Sequence, residues 1–306
     1  MRANPPAVHR SGYVALVGRP NVGKSTLMNA LLGQKIAAIS PRPQTTRRRQ
    51  LGILSLPNAQ IVFVDTPGMH QPAHKLGEYM NQTAEDALKS ADIILWLVDG
   101  SVTPTDEDQR IAARLLSMKN LPPVLLGVNK IDLLAADLHT ERASAYRALY
   151  SFEHVAAFSA ADGSGQDNLL TLLTACLPPG EPLFDPDQVT DLYEREIAAE
   201  LIREAALHHL RDEIPHAMAV RVDEFTERDE TGAYIHATLL VERENHKAIV
   251  IGKGGEMLKK IGSTARREIE AMSGRKVYLE LRVKVNLNWR NKPDALRWLG
   301  YARAKD

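Results

Sequence analysis

The octapeptide GRPNVGKS, Gly18 to Ser25, leaves the backbone little choice. It follows the apolar run YVALVG and precedes a stretch with helical spacing, so it predicts a strand, a tight turn and a helix. Gly18 and Gly23 let the chain curl with no Cβ in the way. Amides from Asn21 through Val22 to Ser25 then point into the curl at the positive end of the helix, and Thr26 continues that first turn. Such a curl cradles phosphate oxygens. Lys24 would reach the outer phosphates, and Ser25 would offer its hydroxyl to Mg²⁺.

The surrounding sequence repeats that strand–turn–helix rhythm. Apolar runs at 13–18, 61–65, 92–100, 123–130 and 154–160 each end in a polar or glycine-rich turn. Helical stretches follow at 24–32, 75–90, 106–118, 137–150 and 166–176. The pattern predicts an α/β domain, a mostly parallel sheet with helices on both faces. With 306 residues the chain has room for two domains. The longest clearly apolar run, 93–98, is far too short to span a bilayer. The single cysteine, Cys176, excludes an intramolecular disulfide and fits a reducing compartment. The first ten residues lack the apolar stretch of a signal peptide, so a cytoplasmic protein is expected.

Three further loops fall at predicted strand ends. In NKID, Asp132 can accept both N1–H and N2–H₂ of guanine, whereas adenine would leave that carboxylate unpaired and desolvated. Lys130 can lay its stem over a base, and Asn129 can tie this loop to the phosphate loop. In FSAADGSG, Ser159 and the Ala160 amide could reach guanine O6, although a polar turn explains that stretch equally well. In VDTPG, Asp65 can hold Mg²⁺ through water and Gly68 has an amide for the terminal phosphate. Upstream, PRPQTTRRRQ (41–50) reads as a polar loop of the sort ordered by a terminal phosphate, with Thr45 or Thr46 as Mg²⁺ ligand. Arg47 to Arg49 read either as solvated surface or as a contact to RNA or a transition state. Many GTPases carry a glutamine just after the switch glycine to orient water; here Met69 stands there, and a thioether orients water poorly.

The rhythm changes beyond LPPGEPLFDPDQ (177–188), which has four prolines in twelve residues and reads as a linker. An amphipathic helix at 191–210 precedes two strand-like runs, a helix–loop–helix, and VYLELRVKVNL. That last run alternates strictly, Val277, Leu279, Leu281, Val283 and Val285 against Tyr278, Glu280, Arg282 and Lys284, as for a strand half-buried on a helical layer. Between the two helices lies Gly252-Lys253-Gly254-Gly255, a G-x-x-G loop. The helix after it buries Met257, Ile261, Ala265 and Ile269 and turns Lys259, Lys260, Arg266 and Arg267 off that face. This arrangement resembles a type II KH domain, and the resemblance implies that Gly252 and Gly255 let phosphates approach, that Lys253 adds charge, and that Ile249, Val250 and Ile251 floor a groove beside splayed bases. Trp289, Arg290, Trp298 and Tyr301 could stack on bases; packing of a short terminal helix is favoured.

Formal charge agrees. The zero net charge divides into +2 over 1–180, −11 over 181–246 and +9 over 247–306. A basic block in a neutral chain points to a localised anion, nucleic acid first.

These motifs together resemble the TRAFAC GTPases, in particular the Era, EngA and MnmE relatives that share GRPNVGKS, QTTR, DTPG and NK-D. One such domain joined to a helix–strand–strand–helix–GxxG–helix–strand order, a smaller α+β type II KH domain, resembles the Era family of ribosome-assembly GTPases over nearly the whole chain. The resemblance implies a flexible start (1–11), a G domain (12–177), a linker (178–190), a KH domain (191–288) and a C-terminal tail (289–306). It implies binding and hydrolysis of GTP to GDP with Mg²⁺ on Ser25, Thr46 and Asp65, Thr46 being favoured over Thr45, and a K⁺ ion near Asn21. It implies a KH groove gripping single-stranded RNA near the 3′ end of 16S-type ribosomal RNA during small-subunit maturation. It further implies a monomer off the ribosome and peripheral membrane association. In that group the position of Met69 is typically hydrophobic. The competing readings are an RNA scaffold that binds GTP without turnover and, disfavoured by Asp132, an ATPase or kinase.

Overall fold

The computed structural model describes residues 8–40, 45–68, 72–229 and 232–301. Met69 lies outside them, so the expectation attached to it is not addressed by the fold. Two compact units emerge: Met1–Gln34, Thr46–His70 and Asn81–Asp191 in the first, Lys35–Thr45, Gln71–Met80 and Leu192–Asp306 in the second.

The first unit is built on six strands, β1 (Arg10–Val17), β2 (Gln50–Leu56), β3 (Ala59–Asp65), β4 (Ile93–Asp99), β5 (Val124–Asn129) and β6 (His154–Ala157). They lie in the order β2-β3-β1-β4-β5-β6, all parallel except β2, which is antiparallel to β3. The helices are α1 (Lys24–Leu32), α2 (Lys75–Ser90) from Asn81 onward, α3 (Asp106–Ser117), α4 (His139–Arg147) and α5 (Gln166–Cys176). Every residue of β3, β4 and β5 is buried, as expected for strands covered on both faces. One face packs Ala15, Val17, Trp96, Val98 and Leu126 against Leu88, Ile111, Leu115 and Tyr146. The chain runs from β1 to β3 on one side and then to β4 on the other. The carboxyl ends of β1 and β4 therefore flank a switch point, where open α/β sheets bind ligands.

Two expectations change here. The polar loop at 41–50 is followed by a strand, β2, which the sequence reading omitted; its signal was the Pro57-Asn58 turn between two apolar runs. The proline-rich stretch 177–188 is no free linker. Phe184 packs against Leu51, Ile53, Val62 and Val64, and Gln60 Oε1 accepts the Leu183 and Phe184 amides at 2.7 and 2.9 Å. Ile53 N–H donates to Val189 O at 2.8 Å, so the strap blunts the exposed edge of β2. Prolines deny the strap the donors of a regular strand, which is why it reads as linker in sequence.

The second unit holds α6 (Glu194–His209), β7 (Ala219–Asp229), β8 (Gly232–Val241), α7 (Glu244–Ile251), α8 (Glu256–Ser273), β9 (Lys276–Val285) and α9 (Pro293–Trp298). Its sheet runs β7-β8-β9, β7 antiparallel and β9 parallel to β8, with β9 at an edge. Ile261, Ala265 and Ile269 of α8 are buried, as the periodicity predicts. Described residues of the segments Lys35–Thr45 and Gln71–Met80 pack here. Leu76 and Met80 join a core with Ala219, Leu240, Trp289 and Leu296, and Lys35 Nζ donates to Glu204 and Glu268 on α6 and α8 at 2.8 and 2.9 Å. Trp289 is fully buried, its Nε1–H donating to Ala217 O at 2.9 Å, and Tyr301 stacks on it. These aromatics build the terminal helix into the core. No helix among the described residues is long and apolar enough to cross a membrane.

Candidate functional sites: a phosphate cradle and a glycine-loop groove

In the first unit the loop after β1 has the backbone its sequence predicts. Gly18 and Gly23 have φ of 154° and 102°, and Asn21 is also left-handed at 65°. Positive φ is costly for most residues. At Gly23 a Cβ would also strike the Asn129 side chain. Lys24 Nζ donates to Gly18 O at 2.9 Å and to Arg19 O at 3.1 Å, which fixes one cation inside the curl. Val22 is buried, Thr26 half-buried and Asn21 exposed.

Across the cradle, Ser25 Oγ donates to Asp65 Oδ2 at 2.6 Å, and Thr46 Oγ1 lies 3.1 Å from both. Geometry thus brings Thr46, not Thr45, to the other two oxygens. Burial pushes the Asp65 carboxyl up, against the pull of Lys24, Ser25, Thr46 and Thr66; burial likewise pushes the Lys24 amine down, against Asp65. Asp65 Oδ1 is buried with no hydrogen bond of good geometry among the described residues. An unpaired buried acceptor costs about 1–3 kcal/mol, which a hard cation would remove. Two hydroxyls and a carboxylate on one spot are oxygen donors of the kind Mg²⁺ takes, so the residues fit that ion. Gly68 lies beside the cradle: a Cβ there would sit 3.4 Å from Pro20 Cγ. Arg47 is 1 % exposed, which excludes the solvated-surface reading for it.

The base-side loops interlock with the cradle. Asn129 Nδ2 donates to Val22 O at 2.7 Å, while its Oδ1 accepts the Ala160 amide at 2.9 Å. Asn129 therefore ties three loops together. Ser159 is fully buried, and its Oγ accepts the amides of Ala161 and Asp162 at 3.2 Å each, so it shapes the turn. Asp132 is exposed on a short 3₁₀ turn just past β5, open to a base edge. Lys130 adopts a left-handed backbone and donates to Asp99 Oδ2 at 2.6 Å.

Sequence reasoning missed Asp99. It ends β4 and also accepts from Ser101 N at 3.0 Å, with the Arg19 guanidinium 3.6 Å away. Burial opposes its ionisation, yet the hydrogen bonds from Lys130 and Ser101 hold its carboxyl below the usual range. Its signal was its place at the end of a buried strand beside two other site loops.

In the second unit, the glycine loop joins α7 to α8. A cavity of about 460 Å³ lies beside it, lined by Gly255, Leu258, Lys259, Gly262, Ser263, Arg266, Tyr278, Leu279 and Leu281. This corrects the expected floor. Val250 is fully buried, as is His246 one turn earlier, while Ile249 is 48 % exposed and Ile251 half-buried. Three consecutive helical residues spread over too wide an arc to share one face. The apolar wall is instead Leu258, Leu279 and Leu281, and the small Gly262 leaves it room. Lys259 and Arg266, two turns apart on α8, both line the cavity; Lys260 and Arg267 do not, and after burial the nearby charges of His208, Lys260 and Arg267 help push the His209 imidazole down. Lys253 and Gly254 are exposed at the loop tip.

Comparison with known proteins agrees with this geometry. Residues 13–130 match the family model described as 50S ribosome-binding GTPase, and residues 213–290 match a KH domain. The chain is 47 % identical to GTPase Era of Geobacter metallireducens, over 95 % of this chain and 98 % of that one. It is 45 % identical to GTPase Era of Heliobacterium modesticaldum, over 95 % and 97 %. A crystal structure of Era in complex with MgGDPNP and nucleotides 1506-1542 of 16S ribosomal RNA superposes with a TM-score of 0.91 at 41 % identity, covering 96 % of this chain and all of that one.

Proposed function

This chain belongs to the Era family of GTPases, and from that premise we propose that it is a GTP-gated clamp on the 3′ region of small-subunit ribosomal RNA, acting in maturation of the small subunit. The observation that carries the proposal is the pairing, in one chain, of a tight loop where Ser25 meets Asp65 and Asn129 meets Val22 with a groove beside a glycine loop lined by Lys259 and Arg266.

In the cradle the Lys24 amine and the loop amides hold the β- and γ-phosphates. Asp132 selects guanine, and Lys130, held by Asp99, covers the base. Ser25, Thr46 and Asp65 would hold Mg²⁺, which supplies charge neutralisation between β- and γ-phosphate oxygens. Gly68 would offer its amide to the γ-phosphate, and Asn21 would join a K⁺ ion near the β/γ bridge. The Ala160 amide, which donates to Asn129 Oδ1, would be shared with guanine O6. In the chain, Thr46 directly follows the segment Lys35–Thr45 of the second unit, and Gly68 stands three residues before the segment Gln71–Met80. Ordering of the 41–50 and 65–75 loops around GTP would give the nucleotide a lever on the groove, and hydrolysis would release it. In the groove Lys259, Arg266 and Lys253 meet phosphates, while Gly252, Gly254 and Gly255 let the RNA backbone approach.

The setting we propose is a cytoplasmic monomer that meets the small subunit and, at times, the membrane surface. Fluorescence anisotropy of a labelled 16S 3′-end RNA, with the protein loaded with GDPNP or with GDP, tests the gate. Tighter binding with GDPNP is expected; equal affinities would remove the gate and leave the RNA contact standing. Single-turnover hydrolysis in K⁺ against Na⁺ tests the cation, and equal rates would remove it.

A further inference from the structure

The groove does not end at its apolar wall. Tyr278 lines it and yet is 66 % exposed. It sits on β9, whose outer edge is free in the sheet order β7-β8-β9, and its side chain belongs to the sheet face opposite the buried Val277. Its register partner on β8 is Tyr234. The two rings stack, centroids 5.8 Å apart and 21° from parallel. Tyr234 is in turn fixed: its hydroxyl donates to Glu280 at 2.9 Å, and the Arg228 guanidinium lies 5.2 Å from its ring. One face of Tyr278 is therefore backed by an anchored ring, and the large exposure leaves the other face to solvent.

An exposed aromatic ring that is backed and held is a poor economy in a surface strand unless something flat lies on it. A nucleobase is flat, and stacking on an aromatic side chain is tolerant of sequence. Lys259 and Arg266 in the same cavity supply the cations that bring a phosphate chain to this edge. Glu280 would repel that chain if it stood alone, but its carboxylate is engaged by the Tyr234 hydroxyl.

We propose that Tyr278, backed by Tyr234, is a base-stacking platform that extends the groove by one nucleotide beyond those held at the glycine loop. The ligand class is single-stranded RNA. The proposal rests on the groove being an RNA site, and its test separates the two. Full-length protein is titrated with the 16S 3′-end RNA and with a four-nucleotide RNA that fills only the clamp at the glycine loop. Tyr278→Ala is expected to weaken the longer RNA roughly 10-fold and the four-nucleotide RNA several-fold less. Tyr278→Phe keeps the ring and is expected to bind both as wild type does. A 2-aminopurine placed beside the clamped nucleotides should lose fluorescence on the wild type and not on Tyr278→Ala. Undiminished binding of the longer RNA by Tyr278→Ala would overturn the platform. Equal loss on both RNAs would also overturn it, since Tyr278 would then be shaping the groove. Failure of the wild type to bind either RNA would overturn the groove itself.

Discussion

Both units turn on a glycine loop that leads into a helix, and the two loops are unlike in one respect. At Gly23 a Cβ would strike Asn129, and at Gly18 it would meet Leu97 O and Val22. At Gly254 and Gly255 a Cβ would meet nothing within 4 Å, although their φ values, 60° and 83°, are also positive. The first loop is locked into its neighbours, with Asn129 bonded to both Val22 and Ala160. The second is open at its tip, although at Gly252, where it leaves α7, a Cβ would strike Met257. A small, highly charged ligand is best held by donors fixed before it arrives, because nothing then has to reorganise. A polymer needs an accessible rim, and its specificity comes from the wall behind the loop.

Substitutions can break this contrast. The largest effect is expected for Gly23→Ala. It adds left-handed strain and displaces Asn129 from two buried bonds, on the order of 4 kcal/mol, or roughly a thousandfold in GDP affinity by calorimetry. Asp65→Asn keeps the volume but removes the carboxylate. Hydrolysis should fall on the order of a hundredfold, while GDP affinity measured in EDTA stays near wild type. Lys259→Ala should weaken 16S 3′-end RNA about 5-fold and flatten the salt dependence by roughly 0.7 in log–log slope; an unchanged slope would remove it from the phosphate contacts.

Lys35→Ala probes the segment that precedes the Thr46 loop. Burial raises the Glu204 carboxyl above its ordinary 4.5, and hydrogen bonds from Lys35 oppose this. A carboxyl raised in the folded state contributes stability below 4.5 that is lost as pH climbs through the folded value, and removing Lys35 deepens that loss. The Tm deficit of Lys35→Ala should therefore be largest at neutral pH and shrink toward pH 4.5. The smallest effect is Gly254→Ala, where only backbone strain acts, about 1 kcal/mol by thermal unfolding. A loss as large as that of Gly23→Ala would erase the distinction between the loops.

The cradle was legible because its chemistry is local. Gly18 to Ser25, Asp65 and Asn129 to Asp132 each sit at a strand end that apolar runs announce, and their residue types match what phosphate, Mg²⁺ and guanine need. The groove was half legible. The glycine loop and the burial of Ile261, Ala265 and Ile269 followed from periodicity. Its wall did not, because Leu279, Leu281 and Leu258 meet only when β9 lies along α8, a register that no run of residues encodes. The same holds for Asp99, whose partners Arg19 and Lys130 are far apart in the chain, and for the strap at 177–191, whose prolines look the same packed or free.

The amino-acid order by itself therefore determined the family, the glycine turn of the cradle, the exposed carboxylate just past β5 and the basic glycine loop, since each is a short motif in which neighbours in sequence are neighbours in space. Tertiary structure alone decided that Thr46 is the residue at Asp65, that Asn129 joins three loops, that Val250 is core while Leu258 walls the groove, and that Tyr278 lies open on a braced ring. Those outcomes depend on which strand edges and helix faces meet, and long-range packing sets that.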